Sequence, residues 1–325
     1  KQENTMNITV LGCGRWGSFL AWYHSRHASV TLWGRESSRG YQQLAQTHQN
    51  EYVTLPDAVQ LTSELGAALA ASDTVVVSIS AQQLRDLATQ INAYPVAGKT
   101  FLLCMKGLDA DTGERLSEVL RKTLTQSVHI AVWVGPGHVQ DFTRGIPNCQ
   151  VVDSTEPEIV DAIVDALNSD LIRLYKGSDL VGTEVGAAAK NVIGIAAGML
   201  DGKNLSSLKG ALMARGAREI ARLMHAMGAN ELSAYGLCHL GDYEATLFSP
   251  HSHNRKFGES YIKGEPYDRL AEGVPTVKAL MRLGAQYGVD LPICKTIYTV
   301  LYEHANADDA LKALFRRSVK GEFDL

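Results

Sequence analysis

A short apolar run that leads directly into a glycine-rich motif is the feature that most constrains the fold of this chain. Residues 7–11 read NITVL, a β-branched run typical of a strand, and residues 12–17 read GCGRWG, which fits the pattern G-x-G-x-x-G. An apolar helical pattern follows over residues 19–23, and residues 29–33, SVTLW, come at the spacing of the next strand. This order predicts a dinucleotide-binding site, because the loop backbone can approach a pyrophosphate that rests on the helix N-terminus.

The residues of the glycine motif are the first candidates for contact with a cofactor. Gly12 permits the tight turn, Gly14 lets the backbone approach the pyrophosphate, and Gly17 lets the helix pack closely on the strand. Arg15 and Trp16 lie in the same loop. We therefore predict that these five residues bind the dinucleotide.

The end of the second strand bears on the choice between NAD and NADP. It reads Trp33-Gly34-Arg35-Glu36, without the acidic residue that normally ends this strand and binds the adenosine ribose of NAD. Arg35 can accommodate a 2′-phosphate, although it could also stack on adenine or be solvated, and Glu36 could still reach the ribose. The sequence predicts NADP or NAD, with NADP slightly favoured.

Further apolar runs alternate with helical segments through the first half of the chain. They occupy residues 74–79, 100–105, 128–134, 148–152 and 171–175. The alternation predicts an α/β fold with an N-terminal Rossmann-like, doubly wound parallel sheet. Ligands bind at the carboxyl ends of such strands, where Lys106 and the segment Gly135-Pro136-Gly137-His138 lie. A solvated loop lysine is the alternative interpretation of Lys106.

The second half of the chain lacks strand-like runs. From about residue 179 onward the remaining segments predict helices, apart from a polar stretch over residues 237–264. We interpret that stretch as either a disordered connection or a site. The sequence thus predicts a dinucleotide-binding domain at residues 6–180 and an all-helical, substrate-binding and catalytic domain at residues 181–325.

One lysine stands in the most apolar of these helical segments. Residues 182–201 read GTEVGAAAKNVIGIAAGMLD, in which Lys190 is surrounded by small apolar residues. Such a helix packs closely against its neighbours, so the ammonium group should be partly desolvated, and burial lowers the pKa of lysine toward neutrality. Lys190 is therefore a candidate general base; a lysine that reaches solvent at a helix edge is the alternative.

Length, charge and cysteine content limit the classes of function. A chain of 325 residues is long enough for two domains, and 45% of its residues are hydrophobic. The net charge of -4, without a basic block, argues against nucleic acid or an anionic membrane surface as partner. No apolar run reaches the roughly 20 residues that span a bilayer, and no signal-peptide core is evident, so we expect a cytoplasmic protein. The five scattered cysteines predict reduced thiols.

Taken together, the motifs resemble the NAD(P)-dependent glycerol-3-phosphate dehydrogenases of the bacterial type, from residue 6 to about residue 317. The resemblance is carried by the glycine loop and by segments at residues 106–108, 182–202, 214–216, 241–242, 254–258, 272–273, 292–293 and 297–302. It implies reduction of dihydroxyacetone phosphate to sn-glycerol 3-phosphate, a reaction that feeds phospholipid synthesis. It also implies a homodimer.

The resemblance further implies roles for individual residues. Lys190 matches the catalytic base of the family, and Lys106 and Asp242 match residues beside the reacting carbon. A second ammonium group at Lys106 would lower the pKa of Lys190 by repulsion, and Asp242 would hold Lys190 in place. The implied cofactor contacts beyond the glycine loop are Arg35, Lys106, Val139, His253 and Glu272, and the implied substrate contacts are Lys106, Gly135, Gly137, Lys190, Asp242, Ser252, His253 and Asn254.

The chain departs from the family pattern on the substrate side. His253 stands where the family has an arginine that grips the substrate phosphate, and histidine cannot form the planar two-pronged bond to phosphate. Either Arg255 or Lys256 takes over the phosphate, or the substrate differs. Gly137-His138 replaces a serine or threonine followed by phenylalanine, and Cys238-His239 replaces Ala-Gly.

The added histidines leave several interpretations open. They could compensate for the lost arginine as phosphate ligands, or they could make neutral packing contacts. A metal site is a further interpretation, but the spacing of its possible ligands matches no common zinc site, so no metal is predicted; those ligands are Cys238, His239, Asp242, His251 and His253. The alternatives for function are a dehydrogenase of the same fold that acts on a different phosphorylated or phosphonate three-carbon substrate, and an inactive NAD(P)H-binding sensor.

Overall fold

The computed structural model describes residues 6–318 together with Gly321 and Glu322. The chain forms two compact units. The first comprises the chain up to Met105, Leu116–Trp133 and Gly137–Ser178, and the second comprises Lys106–Arg115, Val134–Pro136 and the chain from Asp179 onward. The division predicted from the sequence had placed residues 106–115 and 134–136 in the first domain. Residues 106–115 group with the second unit, in whose buried core Leu108 lies, and Gly135 accepts a hydrogen bond from Lys106 of that segment.

The first unit is built on an eight-stranded sheet in the described part of the chain, with the strand order β3-β2-β1-β4-β5-β6-β7-β8. Its strands are β1 (Asn7–Leu11), β2 (Ser29–Trp33), β3 (Gln60–Thr62), β4 (Thr74–Val77), β5 (Thr100–Leu103), β6 (His129–Val134), β7 (Asn148–Ser154) and β8 (Ile172–Lys176). Parallel pairing joins β1 to both β2 and β4, β2 to β3, β4 to β5, β5 to β6, and β7 to β8. The strand order reverses between β1 and β4, which is the position where doubly wound sheets bind ligands.

Helices connect these strands, and the predicted fold class is confirmed. They are α1 (Arg15–His24), α2 (Arg39–Thr47), α3 (Leu65–Ala70), α4 (Leu84–Ile91), α5 (Leu116–Thr123), α6 (Val139–Thr143) and α7 (Pro157–Leu167). The sequence predictions missed β3. It has only three residues, none of them buried, so it carries too little apolar periodicity to be recognised.

The second unit is helical. Its helices are α8 (Leu180–Gly202), α9 (Lys209–Ala226), α10 (His253–Lys263), α11 (Gly273–Tyr287), α12 (Pro292–Tyr302) and α13 (Ala307–Phe315). Helix α8 lies at the centre, where every residue from 182 to 200 is buried. A Cβ atom on Gly198 would lie 1.9 Å from the carbonyl oxygen of Arg255, so glycine allows the backbones of α8 and α10 to approach closely. Among the described helices α8 is also long and apolar enough to cross a membrane, but 94% of its apolar window is buried inside the protein, as in a core helix.

The polar stretch at residues 237–264 is more ordered than the sequence indicated. It contains a 3₁₀ turn (Leu240–Asp242), a π-helical turn (Glu244–Phe248) and the eleven-residue helix α10. The interpretation as a disordered connection was wrong. Glu259 pairs with Arg255 and Lys263 at i−4 and i+4, a spacing that favours helix and that the sequence already contained.

Candidate active site

The glycine loop of the first unit has the shape that a dinucleotide requires. Gly12 has φ +124, and a Cβ atom there would lie 2.1 Å from the carbonyl oxygen of Ser78. A Cβ atom on Gly17 would lie 1.9 Å from the oxygen of Gly12, so only glycine fits at either position. Gly14, the residue before α1, is exposed, and no atom lies within 4 Å of the position of its Cβ. The loop therefore fits a pyrophosphate on the N-terminus of α1.

The neighbouring candidates for cofactor contact differ in exposure. Arg35 is exposed and donates from Nη2 to Oε1 of Gln83 at 3.4 Å, and Glu36 is exposed as well. Trp16 is half-buried, with its ring centroid 4.9 Å from that of Phe19. Val139 is buried as the first residue of α6.

Two lysines and one aspartate form the centre of the candidate site in the second unit. Lys190 Nζ donates to Oδ2 of Asp242 at 2.8 Å and to the hydroxyl of Thr246 at 2.7 Å. Lys106 Nζ donates to the same Oδ2 at 2.7 Å and to the carbonyl oxygen of Gly135 at 2.6 Å. The side chains of Lys190 and Asp242 are only 8% and 2% exposed, and that of Lys106 is 22% exposed. Two lysine side chains thus converge on one carboxylate, an arrangement that suits an anionic substrate.

The fold explains why these residues meet. Lys106 follows β5 and Gly135 follows β6, and these two strands pair in parallel, so the residues beyond their carboxyl ends are neighbours. Lys190 lies near the middle of α8, where the small side chains expected from the sequence surround it. Asp242 ends the 3₁₀ turn, and Thr246 follows in the π-helical turn, an irregularity that is frequent at functional sites.

A second set of hydrogen bonds fixes the backbone of Lys106. Asn191 donates from Nδ2 to the carbonyl oxygen of Lys106 at 2.7 Å. Its other amide atom, Oδ1, accepts from Nδ2 of Asn254 at 3.0 Å, and Oδ1 of Asn254 accepts from the backbone N–H of Gly273 at 2.9 Å. Asn254 thus acts on the lysine pair through Asn191.

The remaining residues predicted to bind the substrate or the cofactor make contacts within the protein. Ser252 is the N-cap of α10 and accepts from the backbone N–H of Arg255. The His253 ring is half-buried and makes an edge contact with Tyr267 at 6.5 Å between centroids. Glu272 immediately precedes α11. Gly137 has φ +136, and the ring of Phe142 occupies the space that a Cβ atom would need, which explains why serine or threonine is absent there.

Arg255 is engaged in ion pairs with residues of the helical unit. Its Nη1 donates to Asp201 at 2.8 Å and to Glu259 at 2.9 Å, and its Nε donates to the carbonyl oxygen of Ser249 at 3.2 Å. Asp201 also binds Lys209 at 2.6 Å. These contacts engage the guanidinium group of Arg255 in a network of ion pairs within the helical unit, which argues against Arg255 as the phosphate ligand.

The histidine and cysteine beside Asp242 face the interior. His239 is fully buried and lies within hydrogen-bonding distance of the Gly186 carbonyl oxygen and the Tyr243 hydroxyl. Cys238 is buried and donates to the carbonyl oxygen of Ser233 at 3.2 Å. Neither side chain is placed to bind a phosphate, so of the interpretations weighed for His239, packing is the one that fits. In the described part of the chain no group of three or more His, Cys, Asp or Glu residues could hold a metal ion.

Sequence reasoning missed three contributors to this centre: Thr246, Asn191 and Tyr243. Thr246 follows Asp242 by four residues, a spacing that places both on one helical face. That signal was lost because the region was interpreted as a loop. Tyr243 likewise follows its partner His239 by four residues, and that spacing was also lost with the loop interpretation. Asn191 gives no comparable signal, since its partners Lys106 and Asn254 are distant in sequence.

Comparison with known proteins identifies the family. A sequence model described as the N-terminus of NAD-dependent glycerol-3-phosphate dehydrogenase matches residues 7–160, and the corresponding C-terminal model matches residues 179–312. The chain is 34% identical over 332 residues to the glycerol-3-phosphate dehydrogenase (NAD(P)+) of Prosthecochloris aestuarii. This alignment covers 98% of the chain and 100% of the relative. It is 35% identical to a second such enzyme, from Salinibacter ruber, over 97% of this chain and 96% of the relative.

A solved structure agrees with the sequence relatives. The glycerol-3-phosphate dehydrogenase of Coxiella burnetii superposes with a TM-score of 0.89 and 25% sequence identity, covering 96% of this chain and 99% of that one. The glycine loop, the lysine pair on Asp242 and the matches over nearly the whole length lead to one conclusion: the chain belongs to the NAD(P)-dependent glycerol-3-phosphate dehydrogenase family.

Proposed function

We propose that the protein interconverts dihydroxyacetone phosphate and sn-glycerol 3-phosphate with NAD(P)H as the reductant. In the reducing direction the carbonyl carbon receives a hydride and the carbonyl oxygen receives a proton. The observation that carries the proposal is the convergence of Lys106 and Lys190 on Oδ2 of Asp242, because it holds two proton-donating groups together in a largely buried place. The relatives named glycerol-3-phosphate dehydrogenase support the choice of substrate.

The dinucleotide, when bound at the glycine loop of the first unit, supplies the hydride. Lys190 delivers the proton to the developing alkoxide, and in the oxidising direction its neutral amine removes the proton from the hydroxyl. Asp242 at 2.8 Å and Thr246 at 2.7 Å hold the Lys190 Nζ in place, which keeps this nitrogen oriented for proton transfer. Lys106 polarises the carbonyl oxygen of the substrate with its positive charge. The carbonyl oxygen of Gly135 accepts a hydrogen bond from Lys106 Nζ and holds this ammonium group in position.

His253 and Lys256 are the remaining candidates for the phosphate. His253 stands at the position of the family arginine, and Lys256 is exposed on α10, whereas Arg255 is engaged with Asp201 and Glu259. We assign the phosphate to His253, whose ring is only half-buried. A single imidazole is a weaker phosphate ligand than a guanidinium group, which predicts a raised KM.

The remaining roles complete the proposal. Residues 6–180, apart from residues 106–115 and 134–136, serve as the dinucleotide-binding domain, and those two segments together with residues 181–325 serve as the substrate-binding and catalytic domain. Cytoplasmic location, a homodimer and a place in phospholipid synthesis are further expectations that rest on the family. The residues assigned to the cofactor are Gly12, Gly14, Arg15, Trp16, Gly17, Arg35, Lys106, Val139, His253 and Glu272, and those assigned to the substrate are Lys106, Gly135, Gly137, Lys190, Asp242, Ser252, His253 and Asn254.

The test is steady-state oxidation of NADPH and of NADH, each with dihydroxyacetone phosphate, followed at the nicotinamide absorbance band. We expect turnover that depends on the ketone, with NADPH slightly preferred. Turnover on other phosphorylated ketones alone would overturn the substrate assignment. Tight NADPH binding without turnover on any hydroxy- or keto-phosphate would overturn the assignment as an enzyme and favour a sensor.

A further inference from the structure

His239 is a fully buried histidine whose two ring nitrogens both have partners. Nδ1 lies 2.8 Å from the carbonyl oxygen of Gly186, and Nε2 lies 2.7 Å from the hydroxyl oxygen of Tyr243. A carbonyl oxygen can only accept, so Nδ1 carries the hydrogen and donates it. Nε2 then carries the lone pair and accepts the hydroxyl hydrogen of Tyr243. The two hydrogen bonds fix both the tautomer and the orientation of the ring.

These partners connect His239 to the two segments that carry the lysine–aspartate pair. Gly186 lies one turn before Lys190 on α8, so its carbonyl oxygen is the one that the Lys190 backbone N–H reaches in a regular helix. The carbonyl oxygen of His239 accepts the backbone N–H of Asp242 at 3.0 Å. His239 therefore binds the turn of α8 that bears Lys190 through its side chain, and the 3₁₀ turn that bears Asp242 through its backbone.

The approach of His239 to α8 depends on the absence of a side chain at Gly186. A Cβ atom there would lie 2.9 Å from Sγ of Cys238 and 3.1 Å from Cβ of His239. Both distances are shorter than normal contacts, so a larger residue would separate the two segments. Cys238 and His239, the residues that depart from the Ala-Gly of the family pattern, thus pack directly against this turn of the helix.

The environment of His239 keeps the ring neutral. Burial lowers its pKa from the ordinary 6.5 to about 4, although the hydrogen bond to Gly186 acts in the opposite direction. Among the neighbouring charges Lys190 lowers the pKa of His239 and Asp242 raises it, and Tyr243, whose pKa burial raises, keeps its proton. Both ring nitrogens of this neutral ring are engaged with Gly186 and Tyr243 and neither contacts Lys190 or Asp242 in the described structure, so its contribution is geometric.

We propose that His239 is a positioning residue that holds Lys190 and Asp242 in the relative geometry required for proton transfer. It does so by linking Gly186 on α8 to Tyr243, which directly follows Asp242 in the chain. This inference rests on the proposed function, because it assumes that Lys190 transfers the proton. Loss of the link lets the two segments drift apart, and a displacement of about 1 Å can cost roughly 100-fold in rate.

The test compares His239→Ala with His239→Asn in the full-length protein. The side-chain amide of asparagine can still donate to the Gly186 oxygen, whereas alanine cannot. For His239→Ala we expect kcat to fall roughly 10- to 100-fold, with the KM for dihydroxyacetone phosphate and the Kd for NADPH within about twofold of the parent. For His239→Asn we expect kcat within about fivefold of the parent. Exposed His225→Asn in α9 is the matched control and should leave kcat unchanged.

The kinetic assays are run below the melting temperature of every variant, as determined by thermal melts. Unfolding then does not contribute to the differences in kcat. An unchanged kcat in His239→Ala, a parallel loss of NADPH binding, or an asparagine variant no better than alanine would each overturn the positioning role.

A second measurement does not depend on activity and separates this inference from the proposed function. Acetylation of the lysines, followed by mass spectrometry, compares Lys190 with Lys209, which is also buried and is paired with Asp201. We expect His239→Ala to increase the acetylation rate of Lys190 relative to that of Lys209 by about tenfold. His239→Asn should increase this relative rate less. Equal changes at both lysines would overturn the inference, whereas a parent that does not turn over would overturn only the proposed function.

Discussion

Lys106 and Lys190 donate hydrogen bonds to the same atom, Oδ2 of Asp242, at 2.7 and 2.8 Å. Lys106 is 136 positions away from Asp242 in the sequence, and Lys190 comes from a different element, the central helix α8. One carboxylate oxygen thus determines the separation of both ammonium groups. Because the Asp242 side chain is only 2% exposed, its carboxylate is largely shielded from solvent where it pairs with the two lysines.

Replacement of Lys190 by alanine tests the base directly. We expect Lys190→Ala to lower kcat by about 10³-fold, because general acid–base catalysis is lost, while NADPH binding remains nearly intact. Fluorescence titration of NADPH and steady-state kinetics measure the two effects. Lys263→Ala is the matched control, since Lys263 is 41% exposed and pairs only with Glu259 among the ion pairs of the described chain. Residual activity within about tenfold of the parent would remove Lys190 from the role.

Arg255 is expected to matter for stability and not for the substrate. Arg255→Ala removes its ion pairs to Asp201 and Glu259, and loss of one partner from a largely buried network costs about 2–4 kcal/mol of unfolding free energy. Burial alone would raise the pKa of Asp201, but hydrogen bonds from Lys209, Ser206 and Arg255 outweigh it and lower that pKa. Denaturant unfolding measures the stability, and the KM for dihydroxyacetone phosphate should change by less than about twofold. A large rise in KM at unchanged stability would return Arg255 to the phosphate site.

His253→Arg tests the histidine as a weakened phosphate ligand. A guanidinium group can bind phosphate through two parallel hydrogen bonds, so we expect the KM for dihydroxyacetone phosphate to fall by roughly tenfold. The same substitution at exposed His225 adds an equal charge elsewhere in the helical unit and controls for long-range attraction. If the KM of His253→Arg stays the same or rises, the site is built around the histidine instead.

The first unit contains a buried histidine that should make its stability depend on pH. His24 is fully buried, neither ring nitrogen has a hydrogen-bond partner in the described structure, and burial lowers its pKa from 6.5 to about 3. The unfolded chain binds a proton below about pH 6.5 and the folded chain does not, so stability is lost as the pH falls through this window. The loss amounts to about 2 kcal/mol at pH 5.

His24→Phe should remove this dependence. The substitution keeps an aromatic ring between Tyr23 and Trp133 and eliminates a buried polar group, so we expect a higher melting temperature at pH 7 and a larger gain at pH 5. Thermal melts of parent and variant between pH 5 and pH 8 measure the difference. Parallel curves for the two proteins over this range would show that His24 does not titrate as described.

Gly137→Ser should destabilise the protein instead of restoring a substrate contact. A Cβ atom at this position would meet Cε2 of Phe142 at 2.3 Å, and the φ of +136 is itself unfavourable for serine. We expect a loss of about 2 kcal/mol or more of unfolding free energy. Gly145→Ser is the control for backbone strain alone, because Gly145 also has a positive φ but no atom within 4 Å of its Cβ position. Equal losses in the two variants would exclude the clash with Phe142.

The sequence by itself determined the architecture and the cofactor loop. Strand, glycine motif and helix are local features, and β1, the glycine loop and β2 have the bounds that the apolar runs indicated. The small residues of α8 likewise predicted the burial of Lys190, because a helix without large side chains packs closely on its neighbours. The resemblance to the family then implied that Lys106 and Asp242 lie beside the reacting carbon together with Lys190.

Tertiary structure decided the partners of the side chains. Arg255 and His239 both stood near the expected phosphate site in sequence, but their hydrogen bonds go to Asp201 and Glu259 in one case and to Gly186 and Tyr243 in the other. The type of a residue determines which hydrogen bonds its side chain can donate or accept. It does not determine which partner lies within about 3 Å of that side chain in the packed helices. That choice depends on the approach of α8 to its neighbours, which the glycines permit and only the packed fold defines.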